Sequence, residues 1–193
     1  SAMACAANAA FVNRQIIQYK VEKTFMKHFP GCEMELIYDV AHNIAKFEKY
    51  NINGEKKELL VHRKGSTRSL GPSSEDCPKI YKSIGQPVII GGSMETGSYL
   101  LVGQDESNDT FGSTAHGSGR ILSRSQAKRE INGEELQENM QKKGIYVHSS
   151  SPQSLAEEAG AAYKDIDLVV DSLKTAKLCK PVAKLKPLGN IKG

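Results

Sequence analysis

Of the five histidines in the chain, His116 has the most informative surroundings. It stands in STAHGSGRILSRSQAKR, with Gly117 and Gly119 just after it and the bases Arg120, Arg124, Lys128 and Arg129 beyond. Glycines let backbone N–H groups approach a ligand closely. The pattern predicts a helix from about Arg120 to Glu130, whose start would add unpaired donors and the positive end of the helix dipole. Arg120 and Arg124, four apart, would share one face of it and could grip phosphate by forked hydrogen bonds. A histidine at such a mouth could be a nucleophile towards phosphorus, a general base or a metal ligand. A loop histidine beside an anion site is the plainer alternative, at about even odds for so short a motif.

Other stretches carry weaker signals. His42-Asn43 lies where a strand end could hold a ligand rigidly, although a lone histidine is more often structural. VHRKGSTR, residues 61–68, groups His62, Arg63, Lys64 and Arg68 at a strand end, where they could meet RNA phosphates or simply face water. GGSMETG, residues 91–97, could admit a nucleotide against backbone or could be a tight turn. Lys192, in the closing KPLGNIKG, reads on its own as a frayed, exposed lysine.

The elements that must position these residues follow from periodicity. Residues 2–27 have helical spacing, with Ala9, Ala10, Val12, Ile16, Ile17 and Val21 recurring on one side, and Pro30-Gly31 stops them. Strands are expected at 34–41, 43–51 and 56–63, the last two joined at Asn53-Gly54, and a loop over 65–78. QPVII and SYLLV read as buried strands at 87–90 and 98–102. Short helices over 133–144, 152–159 and 164–178, with strands at 144–148 and 181–187, complete the chain. Strands and helices do not alternate regularly, so the expected class is α+β, with mixed or antiparallel sheets and flanking helices, in one compact unit over 1–193.

Composition sets outer limits. The 193 residues carry a net charge of +4, compatible with a nucleic-acid partner without indicating one. There is no tryptophan and only 6% aromatic residues, so no stacking platform for single-stranded RNA is evident. Cys5, Cys32, Cys77 and Cys179 are too widely spaced for a zinc ribbon and read as reduced thiols of a cytoplasmic protein. No apolar run approaches the roughly 20 residues that cross a bilayer.

Taken together and in this order, AMACAANAAFVNRQ, YDVAHNIAKFE, VHRKGSTRSLGP, GQPVIIGGSM with GSYLLVG, STAHGSGRILSR, EEAGAAYKDIDLVV and KPLGNIKG resemble the RtcB family of RNA-splicing ligases. The resemblance spans nearly the whole chain and implies an RtcB-like fold, of which residues 1–193 would form the C-terminal portion of a single catalytic domain. It implies a GTP-dependent ligase that joins an RNA 2′,3′-cyclic phosphate or 3′-phosphate to a 5′-hydroxyl, as in tRNA splicing or RNA repair, through GMP held on a histidine. His116 matches that nucleophile, and His42 a manganese ligand. Asn43, Gly91, Gly92, Ser93, Met94, Ser98, Gly117, Ser118, Gly119, Tyr163 and Lys192 match positions around the nucleotide, with Lys192 reaching a guanine oxygen. Lys64, Arg120 and Arg124 match candidates for gripping RNA phosphates.

The family's other metal ligands, an aspartate, a cysteine and two histidines, fall upstream of the matched region. The isolated chain is therefore expected to need the missing N-terminal half before it can ligate RNA, and archease is a candidate activating partner. Glu95 stands where many relatives have glycine, and its carboxylate would repel a bound phosphate unless it points away. The competing expectation is a non-catalytic RNA- or nucleotide-binding relative acting in the response to RNA damage.

Overall fold

The computed structural model describes residues 2–192. Contacts group the chain into two compact units, Ser1–Asp39 and Val40–Gly193, where the sequence suggests one.

The first unit is dominated by helix α1 (Ala2–His28), whose N-terminal half is rich in alanine, the best helix former. Lys27 and His28 complement the negative end of its dipole, and Gly31, at φ 85°, turns the chain away. No residue of α1 is buried; Val12, Ile16 and Ile17, expected on a packed side, are about half exposed. The strand expected at 34–41 does not form, and residues 32–41 have no regular structure. A strand needs a ladder partner, and none of the sheets among the described residues offers this segment one. Arg14 pairs with Asp39 at 3.0 Å.

The second unit begins with the hairpin of β1 (Asn43–Ile52) and β2 (Glu55–Lys64). Asn53 and Gly54 both have positive φ, 53° and 86°, as a two-residue turn matched to strand twist requires. Alternation along β2 turns Arg63 inward and leaves Lys64 exposed. Arg63 donates two hydrogen bonds of 2.7 Å to the Glu48 carboxylate, which also accepts from the Tyr50 hydroxyl at 2.7 Å. Arg63 is thus a buried structural residue and leaves the group of strand-end bases that the sequence offered to phosphate.

The stretch read as a loop contains a short strand, β3 (Ser66–Arg68), antiparallel to β6 (Ser113–Ala115). Strands β4 (Pro87–Gly91), β5 (Ser98–Gly103) and β8 (Cys179–Leu185) form an antiparallel sheet in the order β4-β5-β8. Helix α5 (Ile166–Thr175) supplies Ile166 and Val170 to the core that Val88, Ile90, Leu101 and Cys179 complete from this sheet. A second core gathers Met94, Met140, Ile145, Val147 and Leu155. Around it lie α2 (Arg124–Glu130), α3 (Gly133–Lys142), β7 (Tyr146–Ser149) and α4 (Pro152–Glu157). The closing segment is not frayed: β9 (Gly189–Lys192) runs parallel to β7, opposing Lys192 to Ser149.

The class is α+β, with three antiparallel sheets and one parallel pair among the described residues. All four cysteines are free. No helix among the described residues is long and apolar enough to cross a membrane.

Candidate functional site

Three strand ends converge on His116. It follows β6 directly, and the pairing of Ala115 with Ser66 sets it beside Gly65. The hairpin register opposes Asn43 to Lys64, so the open end of β1–β2 arrives at the same place. His42 comes just before β1, and the Thr67 hydroxyl anchors its neighbour by donating to the Ala41 carbonyl at 3.1 Å. The His42 and His116 rings stack, with centroids 4.6 Å apart and an interplanar angle of 23°. At Gly65, φ +72°, an added Cβ would stand 3.9 Å from His116 Nε2.

Electrostatics favour a neutral ring at His116. Partial desolvation pushes its pKa below the ordinary histidine value, and the nearby charges of His42 and Lys64 push the same way. A neutral imidazole keeps a nitrogen lone pair available for attack.

The glycines bring two backbones together. Gly91 N donates to His116 O at 3.2 Å, and Ser118 N donates to Gly91 O at 2.8 Å. A Cβ on Gly117 would come within 3.2 Å of the Gly91 carbonyl, so glycine there lets the β4 end and the His116 segment approach without displacing either backbone. Ser118 is buried, with its hydroxyl unpartnered among the described residues. Gly119, at φ +77°, turns the chain and accepts from Lys164 N at 2.9 Å.

The loop after β4 is organised by Ser93, whose hydroxyl accepts from the backbone of Glu95 and Thr96, both at 3.2 Å. Gly92 N donates to Gly97 O at 2.8 Å, and Ser98 opposes Gly91 across the β4–β5 ladder. Met94 is buried in the second core, and its carbonyl accepts from the Asn190 side chain at 3.2 Å. Glu95 is occupied: its carboxylate accepts from Gly160 N at 2.9 Å and pairs with Lys143 at 3.2 Å.

The helix expected at Arg120 begins four residues later, at Arg124, where Ser123 caps it by accepting from Gln126 N. His116 therefore does not sit at a helix mouth, and Arg120 and Arg124 do not share a helix face. Arg120 lies instead in an isolated antiparallel bridge to Tyr163. Its guanidinium donates to Leu122 O at 3.0 Å, the Tyr163 hydroxyl at 2.9 Å and Glu157 O at 2.6 Å. It also stacks on the Tyr163 ring at 4.7 Å and stands 3.7 Å from Glu158. Arg124 is largely exposed, 3.7 Å from Glu157.

Glu158 was not singled out from the sequence, and no spacing rule would have found it. Its Oε2 accepts from the Tyr163 hydroxyl at 2.7 Å and lies 3.5 Å from Lys192 Nζ. Burial first, and then this carboxylate, push the Tyr163 phenol above its ordinary value. Thus Tyr163, Arg120 and Lys192, from three separate stretches, meet at one carboxylate. From His116 the backbone leads through Gly117–Gly119 to that group.

Among the described residues, no three His, Cys, Asp or Glu side chains cluster closely enough to hold a metal ion. His42 offers one imidazole, and these residues alone do not build a manganese site. Two cavities, of about 620 and 490 Å³, lie beside the β1–β2 hairpin and beside β5 and β8, and neither is lined by a candidate residue.

The family model for the tRNA-splicing ligase RtcB matches residues 1–193. The chain belongs to the RtcB family. A tRNA-splicing ligase RtcB of Archaeoglobus fulgidus is 52% identical over 196 residues, covering 99% of this chain and 41% of that protein. One of Pyrococcus furiosus is 46% identical over 199 residues, covering 100% of this chain and 20% of that protein. The RNA-splicing ligase RtcB homolog 2 of Entamoeba dispar is 49% identical over 197 residues, covering 100% of this chain and 38% of that protein. The chain spans about two fifths or less of the length of these RtcB relatives.

Proposed function

We propose that this chain supplies the nucleophile and nucleotide-binding surface of a GTP-dependent RNA ligase with the RtcB fold, as the C-terminal portion of its catalytic domain. The observation that carries the reading is the stacked His42–His116 pair, at a junction of closely approaching glycine backbone, with Lys64 nearby and the pKa of His116 lowered by burial. Family membership supports ligation of RNA as the activity.

In this reading His116 attacks the α-phosphorus of GTP. A P–N bond forms, the bond to the bridging oxygen breaks, and pyrophosphate leaves. The imidazole proton passes to solvent. One water hydrolyses the RNA 2′,3′-cyclic phosphate to a 3′-phosphate. Its oxygen takes the guanylyl group as the P–N bond breaks, and the 5′-hydroxyl of the second RNA, losing its proton, then attacks the 3′-phosphorus and displaces GMP. Lys64 and Arg124 would meet RNA phosphates, a role that their exposure supports, whereas Arg120 is engaged within the protein. Asn43, Gly91, Gly92, Ser93, Met94, Ser98 and Gly117 to Gly119 line the nucleotide, with Tyr163 and Lys192 at the base. His42 would be one ligand of a divalent cation such as manganese, which would stabilise charge on the phosphates. Its other ligands come from outside these 193 residues, so this chain alone does not ligate. Archease is proposed as an activating partner, and the cytoplasm as the compartment.

The test uses the full-length protein that carries this chain, incubated with α-labelled GTP and manganese. Wild type should retain label covalently and His116→Ala should retain none. Equal labelling of both would overturn the nucleophile assignment. A protein that binds RNA ends but never takes label would be the non-catalytic relative instead.

A further inference from the structure

We infer that Glu158 is the positioning residue of the nucleotide site: it holds Tyr163 and Lys192 in a shared geometry and so sets the affinity for the guanine nucleotide. The inference rests on the reading above, in which Tyr163 and Lys192 meet the base.

Four contacts carry it. The Tyr163 hydroxyl donates to Glu158 Oε2 at 2.7 Å, and Lys192 Nζ lies 3.5 Å from the same oxygen. Oε1 faces Arg120 at 3.7 Å, and Arg120 in turn donates to the Tyr163 hydroxyl at 2.9 Å. The phenol is therefore fixed from both sides, as a donor to the carboxylate and an acceptor from the guanidinium. Tyr163 and Glu158 are near in sequence, but the links to Arg120 and Lys192 join segments far apart, so local secondary structure alone does not impose the arrangement. Lys192 sits in the last strand, held by a four-residue parallel pairing to β7. A lysine carries a flexible stem and strongly hydrated charge, and loses much rotamer freedom when ordered. A fixed carboxylate beside it removes part of that cost before the nucleotide arrives.

Glu158, Arg120 and Lys192 are each about a quarter to a third exposed. That is open enough for Lys192 to exchange the carboxylate for an acceptor on the base without unfolding anything. Glu158 itself need not touch the nucleotide. Its influence would run through the two side chains it orients.

The experiment measures the GTP dependence of His116 labelling in the full-length protein, with GMP binding followed by calorimetry. Glu158→Gln keeps an acceptor for Tyr163 and removes the charge that faces Lys192 and Arg120. It should raise the KM for GTP and the Kd for GMP about tenfold, the order expected for one charge-assisted hydrogen bond, with the maximal labelling rate within about twofold. Lys192→Ala should weaken nucleotide binding comparably, and adding Glu158→Gln to it should weaken binding little further. Glu158→Asp should recover part of the loss. Full additivity of the two substitutions, or wild-type KM and Kd in Glu158→Gln, would overturn the inference. A wild-type protein that takes no label would overturn the underlying reading instead, so the two failures are separable.

Discussion

The protein contains the same trio of side chains twice, an arginine, a glutamate and a tyrosine, and puts it to opposite uses. In the hairpin, Arg63, Glu48 and Tyr50 close on one another with 2.7 Å bonds, and Arg63 spends its remaining donors on Ser113 Oγ and the carbonyl of Phe111. The Arg63 and Glu48 side chains are 1% and 8% exposed. Near His116, Arg120, Glu158 and Tyr163 form the same chain of contacts with a longer 3.7 Å ion pair, about a quarter exposed, and a fourth member, Lys192. A saturated, dry cluster has nothing left to offer a ligand. Its worth lies in what breaking it would cost. A wetter cluster with an extra cation can rearrange at little cost, which suits a binding surface.

This contrast can be broken at several points. Arg63→Ala leaves the Glu48 charge buried without its partner, and should cost about 3–5 kcal/mol of stability in denaturant unfolding. A loss no greater than that of an ordinary surface substitution would remove the distinction between the clusters. Arg120→Ala deletes three hydrogen bonds from a half-buried position and should cost about 1–2 kcal/mol. Its larger effect should be on nucleotide binding, through Tyr163. Weakened GMP binding with only that small loss of stability would sharpen the comparison, and a large loss of stability with unchanged GMP binding would contradict it.

Acid supplies a finer probe. Burial pushes the Glu48 carboxyl up, but hydrogen bonds from Arg63 and Tyr50 and the charge of Arg63 outweigh it, and the net shift is down. A carboxyl with a depressed folded-state pKa contributes stability that is present above its unfolded value and lost as pH falls through the folded value. Stability should therefore fall below about pH 4.5, the ordinary value for such a carboxyl. Glu48→Gln should flatten that part of the profile. An unchanged acid limb in this variant would show that the protons are taken up elsewhere.

Some of this was legible in the sequence and some was not, for identifiable reasons. Asn53-Gly54 announced its hairpin because few residue pairs accept two positive φ angles in succession. The β4 and β5 strands were readable as apolar, β-branched runs. The β3 strand was not, because three residues within polar loop composition carry no period. Residues 34–41 have strand propensity, yet propensity cannot supply a partner. The spacing of Arg120 and Arg124 imitates a helix face, and the true boundary was set by Ser123, whose hydroxyl caps the helix. Lys192 read locally as frayed because a short parallel pairing to a distant strand leaves no local trace in the sequence. Glu158 lies in a stretch quoted for the family resemblance, but two of its partners, Arg120 and Lys192, come from distant segments that only folding brings to it.

The central claim is that the imidazole at position 116 forms a bond to phosphorus. It is tested most directly by digesting the full-length protein after exposure to GTP and manganese and mapping the modified peptide by mass spectrometry. A guanylyl group on the peptide containing His116, lost in acid and kept in alkali as a P–N bond should be, is the predicted result. A guanylyl group on a lysine, or on any peptide lacking His116, would contradict the account.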